Sequence, residues 1–141
     1  MNYVAGFLLS PKLDRVVLVL KNRPSWQAGL LNAVGGKVEE GENAVEAMRR
    51  EFREEAGIDV ENWVHDSVLE GDNFQVDFFS AQGDVDSVRS LTDEPIITIS
   101  VADALLLGHS AMRNIRLLLS IALDRSGVIR PVLLKDGVQQ P

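Results

Sequence analysis

Residues 43 to 56 hold neither glycine nor proline, and a glycine stands close on each side, at Gly41 and Gly57. Between them Ala, Glu, Arg and Met predominate, so a helix of about four turns is expected from Asn43 to Ala56. At about 100° per residue, Val45, Met48, Phe52 and Ala56 fall on one stripe that can face a core. Gly57 stands where a left-handed turn ends a helix and where any other side chain would be costly.

The same segment carries Glu51, Glu54 and Glu55, on an arc beside the apolar stripe, because spacings of three and four bring helix positions together. Arg50 lies one turn before Glu54 and can neutralise and orient an acid. Grouped carboxylates repel one another, and a helix with nothing to bind gains little from them. Hard divalent cations such as Mg²⁺ or Mn²⁺ remove that repulsion, since they take carboxylate, carbonyl and water oxygens. A solvated acidic face is the usual fate of an isolated Glu-x-x-Glu-Glu. Here the glycine-rich turn Gly36-Lys-Val-Glu-Glu-Gly-Glu42 and the arginine tip the balance toward a metal site.

The pattern Gly36-x5-Glu42-x7-Arg50-Glu51-Phe52-x-Glu54-Glu55-x-Gly57-Ile58 resembles the signature box of the Nudix hydrolases at every fixed position. Phe52 replaces the more usual bulky aliphatic, a mild departure where only apolarity is required. The resemblance implies an α/β fold, the Nudix α/β/α sandwich, with a mixed sheet between the box helix and the C-terminal helix. It also implies metal-dependent hydrolysis of a pyrophosphate bond in a nucleoside diphosphate linked to another group.

Composition narrows the partners. With 141 residues, 45% hydrophobic and 25% charged, one soluble domain over 1–141 is expected. The chain has no cysteine, so disulfides and thiolate metal sites are unavailable. Its apolar runs, such as Val16 to Leu20, are too short for a membrane helix. Met-Asn-Tyr-Val-Ala-Gly-Phe lacks the basic region of a signal peptide, and a cytoplasmic location is expected. A net charge of −7 disfavours a nucleic-acid polymer but not a small polyphosphate held through metal ions. Apolar strands and the tail leave a homodimer open.

The remaining elements follow from alternation and turn residues. Tyr3 to Ser10 and Arg15 to Asn22 read as strands around a Pro-Lys-Leu-Asp turn. Pro24 to Gly29 reads as a loop and Leu30 to Val34 as a short strand. Trp63 to Glu70 and Phe74 to Ala81 pair across Gly71-Asp72-Asn73, and Gln82 to Thr92 is polar loop. Ile96 to Val101 is a strand and Ala102 to Leu107 a short helix. Ser110 is placed to cap a final helix through Asp124, with Met112, Ile115, Leu118, Leu119 and Ala122 inward. Val128 to Leu134 fits a last strand or an extended arm equally.

By resemblance, Glu51, Glu54 and Glu55 ligate metal, with Glu55 the first direct ligand and Glu51 sharing metal and proton transfer. The Gly35 carbonyl fits a further ligand position. Arg50 orients the glutamates, and Glu42 stabilises the loop and helix start. Family members often add an acid from a distant loop as base or ligand; Glu94 is the candidate and Asp93 the reserve. His65 and His109 lie in contexts that suggest no catalytic role. The stretch from Trp26 to Lys37 resembles the same strand in enzymes that remove oxidised purine nucleoside triphosphates, where an Asn reads the base, and Asn32 matches it. Asn32 suits bonding to nearby backbone equally well, Trp26 stacking on a base or packing, and Arg23 and Lys37 contact with phosphate or solvent. The leading expectation is a Mg²⁺-dependent pyrophosphohydrolase releasing a nucleoside monophosphate and pyrophosphate. ADP-ribose, nucleotide sugars, dinucleoside polyphosphates and a non-catalytic nucleotide sensor are the alternatives.

Overall fold

Successive side chains of a strand point to opposite faces, and in this chain both faces of the central strands are covered. In β1 (Asn2–Leu9), Val4 and Leu8 enter one core while Ala5, Phe7 and Leu9 enter another. β2 (Arg15–Leu20) divides in the same way, Val17 and Val19 against Val16 and Leu18. Strands buried on both faces read as continuous apolar runs, which is how both appear in the sequence. The computed structural model describes residues 1–124, 126 and 129–137.

The further strands are β3 (Leu31–Asn32), β4 (Val34–Lys37), β5 (Val64–Glu70), β6 (Gln75–Gln82), β7 (Ile96–Ser100) and β8 (Val132–Lys135). One sheet joins all eight described strands in the order β3-β2-β1-β6-β5-β8, with β4 paired to β1 and β7 to β2. β1 runs parallel to β6 and β5 parallel to β8, while the other pairs are antiparallel, so the sheet is mixed.

Helix α1 (Ala44–Ala56) covers the first face and α2 (Val101–Ala104) with α3 (Ile115–Leu123) the second. This is the α/β/α sandwich. Gly6 lets α1 settle close to the sheet: a Cβ there would lie 2.7 Å from Met48 Sδ. Asn43 caps α1 with a reciprocal pair, its side chain accepting the Glu46 N–H and Glu46 accepting its own. Gly57 closes the helix at φ 80°. No helix among the described residues is long and apolar enough to cross a membrane.

Four expectations change. Val45 is exposed, and Ala47 is buried with Met48, Phe52 and Ala56. The buried arc is therefore rotated so that Glu51 and Glu55 lie within it, not beside it. The glycine-rich turn begins later than Gly36, which with Gly35 lies in strand β4, and the chain turns at Glu40 and Gly41. A Cβ on Gly35 would stand 1.9 Å from the Val4 carbonyl oxygen, so close pairing on β1 requires the glycine. Ser110 does not cap the last helix. It closes a 3₁₀ turn, Gly108–Ser110, and α3 starts only after Asn114, which adopts a left-handed φ of 74°. Met112 precedes the helix because its N–H is taken by the Leu31 carbonyl at 2.8 Å. α2 stops at Ala104, short of Leu107. In the tail, residues 132–135 form strand β8, and Val128 lies outside the described residues.

Candidate active site

Arg50 organises the acidic helix. Its guanidinium donates to both oxygens of Glu42, at 2.8 and 2.9 Å, to Glu51 at 2.9 Å and to Glu54 at 3.2 Å. A fifth bond, 3.0 Å to the Lys37 carbonyl, ties it to the end of β4. A guanidinium offers five N–H donors in a plane, and all its faces here meet acceptors. Glu42 Oε1 also accepts the Glu39 N–H, closing the loop before the helix. The Arg50 hydrogen bond holds the Glu42 carboxyl down at about 2. Arg50 thus orients the acids, and Glu42 braces the approach to the helix.

The three metal-candidate acids differ in burial. Glu54 is over half exposed, whereas the Glu51 side chain is 15% exposed. Glu51 lies against β4: a Cβ on Gly36 would be 2.5 Å from its carboxyl carbon. Burial pushes the Glu51 carboxyl up, against the opposing pull of Arg50. Glu55 stands apart. Burial, reinforced by Glu51, raises it to about 7, with Lys21 opposing and Glu94 and Glu54 adding to the rise. Its Oε2 is buried without a hydrogen-bond partner.

Among the described residues these side chains do not converge into a three-residue ligand cluster, since Arg50 holds Glu51 and Glu54 toward itself. The donor set nevertheless fits a hard divalent cation. A buried carboxylate oxygen lacking a partner is costly, and a cation beside Glu51 and Glu55 would offset that cost.

Glu94 reaches the same neighbourhood from the loop before β7. The Arg89 N–H bonds the Ala56 carbonyl at 3.0 Å and the Leu91 N–H that of Glu55 at 3.2 Å, so the loop satisfies the end of α1. Both Glu94 oxygens are occupied, one by Lys21 Nζ at 2.9 Å and the other by the N–H groups of Asn22 at 2.6 Å and Arg23 at 3.3 Å. Burial pushes the Glu94 carboxyl up, but these donors outweigh it and hold it below its ordinary value. Asp93 pairs with Arg23 on the surface.

A cleft of about 800 Å³ opens on the α3 face of the sheet and reaches Gly35, Gly36 and Lys37 beside the acids. Its floor is apolar, from Ala5, Val76 and Phe78. Asn32, Trp26 and Lys37 line it, as does Gly35; Arg23 does not. The Asn32 amide donates to Gln27 at 3.3 Å and accepts the Ala33 N–H at 2.8 Å. Trp26 is 68% exposed at the rim, which leaves no core role for it.

Lys21, Asn114 and Asp136 are among the lining residues that escaped the sequence. Lys21 directly extends the apolar run of β2, and a charge at the end of a buried strand was the available signal. Asn114 is held left-handed without a side-chain cap bond, and Asp136 follows β8. Nothing local marks either.

A family model described as NUDIX domain matches residues 2–102, which include the acidic helix and Glu94. Among solved structures, a MutT described with the Aliivibrio salmonicida and Vibrio cholerae proteins shares 24% identity at a TM-score of 0.72, over 86% of this chain and 95% of its own. A MutT NUDIX hydrolase from Burkholderia pseudomallei gives 21% and 0.70, over 84% and 95%. A NUDIX hydrolase from Nitrosomonas europaea gives 18% and 0.78, over 96% and 77%. The chain belongs to the Nudix hydrolase family.

Proposed function

We propose that this Nudix pyrophosphohydrolase acts on a nucleoside triphosphate, an oxidised purine form among the candidates, and releases the monophosphate and pyrophosphate. The observation carrying this reading is Glu55: a buried carboxylate with an unpartnered oxygen, on an arginine-braced acidic helix beside a nucleotide-sized cleft. Glu51, Glu54 and Glu55 would hold the metal, Mg²⁺ first and Mn²⁺ second, with the Gly35 carbonyl as a further ligand. When bound, the cation supplies positive charge against phosphoryl oxygens and acidifies a coordinated water.

The chain's own side chains do the rest. Arg50 pairs with Glu51 and Glu54 and keeps them at the helix face, from which their carboxylates would turn to meet a cation. Glu51, its carboxyl raised by burial, accepts a proton from the attacking water. Lys21 and Lys37 line the phosphate end of the cleft and offset charge on the chain of phosphates. Glu94 has a role in this reading that its own bonds support. With both oxygens bonded and its carboxyl held low, it anchors Lys21. Asn32 and Trp26 face the nucleoside, the amide offering donor and acceptor to a base edge and the indole a stacking surface.

A metal-dependent product screen tests this directly. Nucleoside triphosphates, their oxidised purine forms, dinucleoside polyphosphates and ADP-ribose are compared under the same conditions. Monophosphate plus pyrophosphate from a triphosphate is expected; turnover confined to the other classes sinks the triphosphate assignment.

A further inference from the structure

The alternation within β8 leaves its register open. Its sequence is Val132-Leu133-Leu134-Lys135, with Val132 and Leu134 half-buried and Leu133 and Lys135 exposed. It pairs with β5 in parallel from Ser67 and Val132 to Glu70 and Lys135. A one-residue slip turns a strand over, and it is resisted only where apolar and polar residues alternate clearly. Here one such slip puts Leu133 where Leu134 stands beside Leu69, a leucine for a leucine. The same slip puts Lys135 where Asp136 stands. A contact outside the strand has to set the register.

Asp66 and Arg130 form that contact. The β5–β6 register shifts between His65 and Ser67, so Asp66 is the extra residue of a β-bulge, a device that re-aims a side chain. The Asp66 side chain is buried, and its Oδ1 accepts from Arg130 Nε at 3.0 Å. Arg130 Nη2 donates to the Ile121 carbonyl at 2.8 Å and to the Asp124 carbonyl, at the C-terminal end of α3. One guanidinium therefore ties the chain just before β8 both to α3 and to the residue preceding the first paired position of β5. At the other end of β8 the Asp136 N–H bonds the Glu70 carbonyl at 2.7 Å. Asp136 Oδ1 accepts from Arg113 Nη2, also at 2.7 Å, and both residues line the cleft. Arg113 is 69% exposed against 17% for Arg130. An exposed pair holds weakly, whereas losing one partner of a buried pair strands a charge. The Arg130 end is the firm one.

We propose that Arg130, through its buried pair with Asp66, is a positioning residue that pins the register of β8. It thereby decides that a carboxylate, and not the Lys135 ammonium, stands in the cleft wall beside Arg113, a role that rests on reading this cleft as the substrate site. Neither Arg130 nor Asp66 lines the cleft, so both act through β8. In the slipped register two cations, Lys135 and Arg113, face each other, and their repulsion moves the wall away from the cleft.

Amide hydrogen exchange of the metal-free protein reads the register without a substrate. A slip turns the Asp136 N–H away from β5. In Arg130→Gln its exchange should therefore quicken about tenfold more than that of the β1 and β6 amides. On the substrate that the product screen identifies, KM should rise about fivefold with kcat held within about twofold. Adding Leu133→Thr restores a clear alternation to β8 and should return both readings close to wild type. Arg130→Lys keeps a charge beside Asp66 but cannot span both α3 carbonyls. It should shift both readings in the same direction, and it carries the test if Arg130→Gln does not fold. Exchange at Asp136 that only follows the β1 and β6 amides overturns the proposal, as does an unchanged KM or a Leu133→Thr double variant no better than the single one. If exchange responds as expected but no diphosphate is cleaved by the wild type, the reading of the cleft has failed and the register assignment stands.

Discussion

Glu55 and Glu94 are both buried acids in one neighbourhood, yet their surroundings treat them oppositely. Glu55 reaches the interior on the inner arc of α1, where burial and neighbouring acids raise it to about 7 and one oxygen goes without a partner. Glu94 arrives on a loop that has already satisfied its carboxylate with an ammonium and two backbone N–H groups, and its carboxyl is held low. Desolvation rules at the first, whereas hydrogen bonds and the Lys21 charge together outweigh it at the second. In the proposed function the acid left short of partners receives the cation, and the acid already supplied with them anchors Lys21 as a strut.

Glu55→Gln breaks the comparison most strongly. It removes the charge and conserves the volume, so turnover should fall about a thousandfold, while the metal-free protein gains stability through loss of a buried acid without a partner. Steady-state kinetics and thermal melting in a chelator check the two halves. Near-normal turnover at saturating Mg²⁺ removes Glu55 from the metal site.

Glu94→Ala should do the reverse. It strands the part-buried Lys21 ammonium and frees the Asn22 and Arg23 N–H groups, at a cost of about 3 kcal/mol, measured by denaturant unfolding. Stability unchanged within error, together with a thousandfold loss of turnover, would return Glu94 to the catalytic role first expected of it.

The two regions also differ in how far they could be seen in the sequence. The start, the end and the arginine bracing of the acidic helix are local: Asn43 caps it, Gly57 ends it, and Arg50 reaches Glu42 and Glu54 within eight residues. Such spacings are visible in a linear string because a helix has a fixed period. What stayed hidden was its rotation. Val45 looked inward on hydrophobicity alone, but the buried arc depends on where β4 and β1 meet the helix, and it placed Glu51 and Glu55 inside. The cleft is assembled from β1, the 24–37 segment, β5, β6, the start of α3 and the tail, and no local period joins them. Asn32 was found through its offset from Gly36. Ser110 misled because a serine before an apolar run resembles a cap, whereas Met112 is held outside the helix by Leu31, a partner eighty residues away. Asp136 needed the parallel pairing of β8 on β5, which turn residues do not encode.

The pH dependence of stability sharpens the contrast by its sign. The Glu55 carboxyl lies above its ordinary 4.5 in the folded protein, so its contribution is full below about 4.5 and is lost as pH rises through about 7. The Glu94 carboxyl lies below 4.5, so its contribution is present above that value and lost as pH falls through its depressed one. Other groups titrate as well, and the difference between variant and wild type isolates each acid. In a chelator, the melting temperature of Glu55→Gln minus that of wild type should start near zero in acid and grow to a plateau beyond about pH 8. Adding Mg²⁺ should lower the Glu55 carboxyl and shrink that rise, because the bound cation favours the ionised form. A difference that is flat across the range means Glu55 ionises as a solvated acid does, and the helix then loses the feature that sets it apart from the Glu94 strut.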